Sequence, residues 1–487
     1  MEEIVIHDQH QCEIKYSYKI KSGKKTKTRY NIETYFFFPE SIDINEHNYT
    51  KSDFYKNLKS HIRLKTPFYP LKNIASGSFF IYKKLENLAF KKKLNRANFN
   101  KLELLLKMFA CIVKSAWREH EALIISNTAS DRLNGLISSF INYTERILKT
   151  GRKLCAGLLQ TSRKPRTNSI LCAFDEYISY LAETSACKIL DTMKSSNTEY
   201  FKKFKKDLMA IAAAEFTYRK KQKYAISAQK NSNNAGYLLR AGYLKKYTSS
   251  ILFLNTDIKY NAAAAEQLLF GLSAGVAMAF ATAVAFLGQQ KFGNLSFALF
   301  LLLTISYILK DRLKDLIKIF ISSRINKIFS DFKARVYTDL GKKAGWCKLG
   351  VNFVPASKIP PEIKKIYTCC LPAGAMQFEN TSTLLFRKKT EFYPSQIGKS
   401  SKDFSIDGII DIMRLNIDSF LAKMDNPKKK IYIFEDDDYR LVSAAKQYVI
   451  SIIIKYIHNK TRYRAYQMIL SRKGIVKISR MPVHPAV

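Results

Sequence analysis

One stretch near the middle of the chain restricts the fold more than any other. Between Glu266 and Lys310 the only charged residue is Lys291. Gln267 to Gln290 and Phe292 to Leu309 are uncharged runs of 24 and 18 residues. As helices rising about 1.5 Å per residue they would be about 36 and 27 Å long, and the hydrocarbon core of a bilayer is about 30 Å thick. The stretch therefore predicts two transmembrane helices joined by a tight turn, the alternative being a buried helical hairpin inside a soluble protein.

The charges around these two segments predict their orientation. Basic residues follow the second segment closely, whereas the turn carries Lys291 alone. The positive-inside rule then places both flanking regions, and both termini, in the cytoplasm of an integral membrane protein. The same basic residues are candidates for contact with anionic lipid or phosphate: Lys310, Arg312, Lys314, Lys318, Arg324 and Lys327.

Small residues recur along the first segment. Gly271, Gly275, Ala279 and Ala283 are four residues apart and so share one helix face. Small side chains allow helix backbones to approach closely in lipid. This face is predicted to pack against another helix, either the second segment or the same segment of a second copy. The latter would make a homo-oligomer through the transmembrane helices.

The net charge points to an anionic partner. The chain of 487 residues carries 81 Lys and Arg against 40 acidic residues, a formal charge of +41. Such a surplus suits the anionic inner leaflet of a bilayer or a nucleic acid. No recognisable nucleic-acid-binding motif is present, so lipid is the first expectation and nucleic acid the alternative.

The predicted fold class is an α+β membrane protein. It has a mainly helical N-terminal region, a central two-helix transmembrane hairpin and a C-terminal α+β domain with antiparallel strands. The predicted divisions are a β-hairpin and short helix (1–78), a helical bundle (79–236), a linker (237–266), transmembrane helices (267–290 and 292–309), a juxtamembrane amphipathic helix (310–340) and the C-terminal domain (341–487).

Local patterns give further expectations at the two ends of the chain. "CEIKYSYKI" and "TRYNIETYFFF" alternate like the two strands of a hairpin. Helices are expected over Ser405 to Met424 and Tyr439 to His458, and a hairpin turn at Ser471 to Gly474. The basic stretch Lys149 to Ser169 is expected to interrupt the bundle as a loop, either solvated or in contact with phosphates.

The sharpest candidate for catalysis is the acidic run in "KKIYIFEDDDYR". A predicted strand ends in Glu435, Asp436, Asp437 and Asp438, and a helix is expected to follow. Carboxylates at the end of a strand can hold Mg²⁺ for phosphoryl transfer. They also favour the N-terminus of a helix for purely structural reasons. No G-x-x-x-x-G-K-[ST] sequence occurs, which argues against a P-loop NTPase.

No metal or cofactor is expected from the sequence. His7, His10 and Cys12 lie close together, but no second His/Cys cluster completes a four-ligand site. The favoured function is a non-enzymatic integral membrane protein that acts as an anchor, a scaffold or a membrane-acting effector. The alternatives are a membrane-tethered nucleic-acid-binding protein and a metal-dependent phosphoryl-transfer enzyme using residues 435–438.

Overall fold

The chain is divided into two compact units in a computed structural model. The first, the sheet unit, comprises Met1–Arg63, Leu254–Lys402 and Gly408–Val487, and the second, the helical unit, comprises Leu64–Phe253 and Asp403–Asp407. The structure describes residues 3–20, 26–89, 95–127, 132–161, 164–196, 198–227, 234–261, 263–293, 296–328, 330–339, 341–369, 381–400, 404–435 and 438–483.

Antiparallel sheets form the body of the sheet unit. The four-stranded sheet has the order β1 (Glu3–Asp8), β2 (Gln11–Lys19), β9 (Gly408–Asn416), β4 (Leu58–Leu64). The eight-stranded sheet has the order β14 (Gly474–Met481), β13 (Thr461–Ser471), β12 (Tyr448–Ile457), β3 (Thr28–Pro39), β8 (Thr381–Phe392), β7 (Lys343–Phe353), β6 (Phe332–Tyr337), β5 (Asn255–Tyr260). A separate two-stranded sheet consists of β10 (Lys428–Glu435) and β11 (Asp438–Ala445).

Helices complete the two units. In the sheet unit they are α1 (Lys51–Asn57), α9 (Ala263–Phe292), α10 (Phe297–Ile328), α11 (Pro361–Cys369), α12 (Pro394–Ser400) and α13 (Asp418–Leu421), with 3-10 turns at Glu40–Ile42 and Ala356–Lys358. In the helical unit they are α2 (Leu71–Ile74), α3 (Phe80–Ala89), α4 (Arg96–Ser126), α5 (Leu133–Thr161), α6 (Pro165–Ser196), α7 (Thr198–Lys221) and α8 (Ala235–Ser249), with a 3-10 turn at Ser250–Leu252.

Strand β3 lies near the middle of the eight-stranded sheet and is buried on both faces. Phe38 packs edge-on against Phe420 of α13, with ring centroids 5.1 Å apart. On the other face Phe37 stacks on Tyr367 of α11 at 4.1 Å. A strand covered on both faces is expected to be apolar throughout, which explains the consecutive phenylalanines of its sequence.

The N-terminal hairpin prediction is wrong in its pairing. Both predicted strands exist, but β2 pairs with β1 and β9 in one sheet, whereas β3 pairs with β8 and β12 in the other. N-terminal strands therefore complete sheets built from the C-terminal part of the chain. Local alternation identifies a strand but not its partners: β1 is adjacent to β2 in the sequence, whereas β9, β8 and β12 lie hundreds of residues away.

Two predicted C-terminal helices are also strands. Ser405 to Met424 contains β9 and the short α13, and Tyr439 to His458 lies within β11 and β12. In β9, inward side chains alternate with half-buried ones, a period of two. The turn predicted at Ser471 to Gly474 is confirmed as the β13–β14 connection. Gly474 has φ +130° there, and a side chain would collide with the carbonyl of Gln9.

The predicted two-helix transmembrane hairpin is wrong, and with it the membrane-protein fold class. Among the described residues only one helix, α9, is long and apolar enough to cross a bilayer, over Gln267–Phe292. Most of the second predicted segment and the first part of the predicted juxtamembrane helix form one helix, α10, whose later turns carry Lys, Arg and Asp. The predicted juxtamembrane helix does not continue to residue 340, because Phe332–Tyr337 form strand β6. The molecule is a mixed fold of helices and large antiparallel sheets.

The helical unit follows the sequence pattern closely. In α4 apolar residues recur with the helical period and are buried, including Leu102, Leu105 and Phe109. The expected basic loop at Lys149 to Ser169 is wrong, since most of it lies in α5 and α6. The segment predicted as a linker, 237–266, contains most of α8, the 3-10 turn Ser250–Leu252 and strand β5.

Candidate functional site

A long helical excursion leaves the eight-stranded sheet and returns to the same place. It comprises residues 261–331, and is named the excursion below. Strand β5 before it pairs with β6 after it, from Asn255 opposite Tyr337 to Tyr260 opposite Phe332. The N–H of Asn261 donates to the carbonyl of Asp331 at 3.1 Å. This hydrogen bond joins the two ends of the excursion, which are called its base below. Because both ends of the excursion lie at the same place on the sheet, any partner of α9 and α10 is contacted from one side only.

Asp331 fixes the end of the excursion to the body of the sheet unit. Its buried carboxylate accepts hydrogen bonds from Lys51 Nζ at 2.7 Å, from the hydroxyl of Tyr55 at 2.9 Å and from the N–H of Val351 at 2.8 Å. Burial, and then the neighbouring Asp331 carboxylate, raise the pKa of Tyr55. A charge-assisted network of this kind holds the base rigid.

Small side chains bring α9 and α10 together. Ser273, Ala277 and Gly288 are the buried positions of α9 within its apolar stretch. A side chain at Gly288 would collide with Leu302 of α10. The two helices therefore pack closely along a small-residue stripe, as such residues permit.

The predicted small-residue face is a different one. Gly271, Gly275, Ala279 and Ala283 are all exposed, and a Cβ built at Gly271 or Gly275 would meet no atom within 4 Å. This face is thus not used against α10 in the part of the chain that the structure describes, and its predicted role against a second copy stays a prediction. Because α9 is rich in small residues, two faces satisfy the same spacing, and spacing alone does not choose between them.

Large apolar side chains of α9 point away from the protein. Leu268 is 72% exposed, Phe286 68% and Leu287 66%. Contiguous exposed apolar surface of this extent marks a site of interaction in soluble proteins. Further exposed apolar side chains in the excursion are Leu272, Val276, Met278, Phe280, Phe292, Phe297, Phe300, Leu301, Leu303, Ile305, Tyr307, Ile308, Leu309, Leu316, Ile319 and Phe320.

Positive charges bound the apolar part of α10. Lys310 lies over the ring of Tyr307, 3.8 Å from its centroid, and Lys318 lies 5.9 Å from the ring of Phe270 in α9. The charged residues 310–318 thus run beside the first half of α9. Arg312 is exposed and Lys314 is half-buried, and Arg324 and Lys327 belong to α10 by their backbone.

The uncharged part of α10 is too short to cross a bilayer. Its 13 residues from Phe297 to Leu309 span about 20 Å, against about 30 Å of hydrocarbon. Lys310 follows this region directly, and on the other side the next charged residue, Lys291, lies in the last turn of α9. This length is the physical reason why the two-span prediction does not hold.

The acidic run lies in a different setting from the predicted one. Glu435 and Asp438 face each other at the end of the β10–β11 hairpin, and a strand follows instead of a helix. Asp436 and Asp437 lie outside the described residues. Within the described residues no three His, Cys, Asp or Glu side chains are grouped as a metal site would require. Because a strand follows, Glu435 and Asp438 do not cap a helix, and the catalytic role of the run stays a prediction.

The N-terminal histidines are engaged with carboxylates. His10 Nδ1 lies 2.6 Å from Asp418, and His7 Nδ1 lies 3.8 Å from Glu13. Cys12 is buried, and that burial raises the pKa of its thiol to about 12. A thiol held protonated at neutral pH is a poor metal ligand.

A buried ion pair that the sequence did not reveal links the two sheets. Lys388 of β8 and Asp411 of β9 are 1% and 0% exposed and form a salt bridge. Asp411 also accepts from the hydroxyl of Tyr18 at 3.2 Å and from Ser60 at 3.3 Å. Burial, and then Asp411, raise the pKa of Tyr18 well above its usual value. The sequence signal that could have indicated this pair was a polar residue at a strand position that points inward.

Arg152 of the expected basic loop is also engaged inside the protein. It lies on α5, donates to Glu215 of α7 at 2.6 Å and lies 3.5 Å from the centroid of the Tyr218 ring. On α7, Arg219 is 1% exposed and pairs with Glu183 of α6. These pairs join the helices of the helical unit, and the guanidinium of Arg152 is committed to that role instead of to phosphate.

Comparison of the chain with protein-family models, with curated proteins and with solved structures gave no match. The excursion is the strongest candidate site among the described residues, because it combines exposed apolar surface with bounding positive charge.

Proposed function

We propose that this protein is a membrane-binding protein, attached from one side through the exposed apolar surface of α9. The supporting observation is that only 11% of the apolar stretch Gln267–Phe292 is buried within the protein. Each large apolar side chain contributes about 1.5–3 kcal/mol when it is fully removed from water. Lipid is the environment that suits so many such side chains on one element.

The charges of the excursion favour a helix pair lying in the interface instead of one inserted end-on. Lys291 is exposed at one end of the apolar region, and Lys310 is at the other. End-on insertion would place Lys291 in the hydrocarbon at a cost of about 2.5–3.5 kcal/mol. In the interfacial orientation both lysines and Arg312 lie at the level of the headgroups, where each attracts anionic lipid by about 1 kcal/mol.

The large antiparallel sheets then act as a platform beside the membrane. The function is accordingly that of an anchor or scaffold, and the basic surplus of the chain reinforces its attraction to anionic lipid.

Flotation with vesicles tests this proposal. The purified chain is mixed with vesicles of neutral lipid alone, or of neutral lipid with anionic phosphatidylserine, and the bound fraction is measured at low and at 150 mM salt. The matched variants are Leu272→Lys and Leu287→Lys in α9 against Leu238→Lys and Leu239→Lys in α8. All four leucines are between 58% and 78% exposed.

We expect each α9 variant to bind vesicles about tenfold more weakly or worse, since a buried leucine is worth about 1.5–3 kcal/mol. The α8 variants should bind like the original chain. Equal binding by all four variants would reject the proposal. Absence of vesicle binding, together with salt-sensitive binding of a polynucleotide, would instead make nucleic acid the anionic partner.

A further inference from the structure

The hairpin of β10 and β11 exposes apolar side chains on both faces. On one face Phe434 is 80% exposed, Tyr432 63% and Tyr439 62%. On the other face Ile431 and Ile433 are 39% and 38% exposed. The strands pair in register from Lys428 opposite Ala445 to Glu435 opposite Asp438. This element is named the arm below.

An arm of two strands is a weak structure on its own. Within the part of the chain that the structure describes, neither β10 nor β11 pairs with a third strand. A two-stranded sheet is marginally stable in water, and three or more strands are needed for independent stability. Its unpaired edges also invite another strand. The arm is therefore expected to be completed by an added strand.

The sequence of β10 indicates which strand that is. Lys428, Lys429 and Lys430 stand at one end and Glu435 at the other, with apolar residues between them. Such a strand is complementary in charge to an antiparallel copy of itself. In β11 the corresponding pairing, centred on Leu441 or Val442, brings no opposite charges together. The edge of β10 is thus the self-complementary one.

Symmetry restricts the register of that pairing. A twofold axis perpendicular to an antiparallel sheet keeps each side chain on its own face, so the axis must pass beside one residue and not between two. With Tyr432 on the axis, Lys429 of one copy stands opposite Glu435 of the other. Ile431 then stands opposite Ile433, and Lys430 opposite Phe434. Centring on a lysine would instead set lysines against lysines.

We propose that two copies of this chain dimerise by pairing their β10 strands about Tyr432. The product is a continuous four-stranded sheet in the order β11, β10, β10, β11. The surface is distinct from α9 and requires no membrane. At about 150 mM salt the Debye length is about 8 Å, so the net repulsion between the basic chains is largely screened, whereas the paired charges in contact are not.

A charge exchange tests the pairing. Lys429→Glu places Glu opposite Glu twice in the dimer, and Glu435→Lys places Lys opposite Lys twice. Each single variant should be a monomer of 56.0 kDa, with the dissociation constant raised about tenfold or more. An equimolar mixture of the two variants should restore the dimer, because every cross-pair is again of opposite sign. Masses are measured by light scattering in mild detergent, and circular dichroism confirms that each variant folds.

Cysteine cross-linking tests the register. Tyr432→Cys sets two thiols opposite each other across the axis, within reach of a disulfide, so oxidation should link two chains. Phe434→Cys is the matched control, since its partner is Lys430, and should link no more than the unmodified chain does. A monomeric original chain, a dimer that survives both charge variants, or equal cross-linking at both positions would each overturn the proposal. Dimerisation only when vesicles are present would also overturn it.

Discussion

Helices α4 and α9 have nearly the same length, 31 and 30 residues, but they place their apolar side chains oppositely. In α4 the apolar stripe is covered by protein, and Phe109 lies within 5.6 Å of the rings of Phe174 and Tyr82. In α9 the apolar residues surround the helix and most are exposed. The first helix stabilises a core, whereas the second packs on α10 through a few small residues and leaves most of its large apolar side chains available to a partner.

A pair of matched truncations tests most directly whether α4 and α9 differ in their contribution to stability. Phe109→Ala removes a ring that is 1% exposed and should lower the free energy of unfolding by about 3–5 kcal/mol. Phe286→Ala removes a ring that is 68% exposed and should change it by less than about 0.5 kcal/mol. Urea denaturation without lipid measures both. A comparable loss for Phe286→Ala would show that α9 is covered by protein.

Lys388 and Asp411 are the opposite case to α9: α9 exposes apolar side chains, whereas these two charged side chains are buried. Lys388→Met leaves the carboxylate of Asp411 buried without its cation and should cost about 3–5 kcal/mol. Adding Asp411→Asn removes the charge but keeps an oxygen that accepts from Tyr18 and Ser60. The double variant should therefore recover most of the loss in urea denaturation. If it is no more stable than Lys388→Met, the penalty does not come from the unpaired charge.

A smaller effect is expected at Glu391, whose carboxylate is buried beside exposed cations. Burial raises the pKa of Glu391. The hydrogen bond from Arg29 Nε at 2.6 Å and the charges of Arg29 and Lys27 outweigh this effect, so the pKa lies below its usual value. The folded state then gains stability above the ordinary glutamate pKa of about 4.3. This gain is lost as the pH falls through the lowered pKa.

Arg29→Gln should remove this contribution. The free energy of unfolding at pH 6 should fall by less than about 1 kcal/mol, as is typical of pairs with an exposed partner, and the difference from the original chain should shrink toward pH 3.5. Arg462→Gln, at an exposed position of the same sheet, is the control and should leave the pH profile unchanged. A difference that is constant across this pH range would show that the role of Arg29 is not electrostatic.

The sequence anticipated local elements better than their partners. Helix α4 could be anticipated because its apolar residues recur with the period of a helix. In β12 the run of isoleucines around Ile452 to Ile454 was misread as a helix, although β-branched residues favour strands. In β9, Ile409, Ile410 and Met413 satisfy helical spacing by chance, and the sheet decides which of them point inward. Only the tertiary structure resolves such cases.

The candidate site was predicted in part. The uncharged block was identified correctly as the unusual feature, and α9 keeps the length and apolarity of a span. What the sequence did not show is that Lys318 lies beside Phe270 of α9, so that charged turns of α10 shorten the apolar region of the pair. The Lys388–Asp411 pair was likewise invisible, because the two residues come together only when the two sheets pack.

The central claim is that the exposed apolar side chains of α9 contact lipid. It is tested by attaching a fluorophore to a cysteine at position 286, or at position 239 as the control, after Cys187, Cys369 and Cys370 are replaced by serine. Vesicles carry a lipid-borne nitroxide quencher near the headgroup. The account predicts strong quenching of the probe at 286 and little at 239. Equal quenching at the two positions, or none at 286 when the protein is bound, would contradict it.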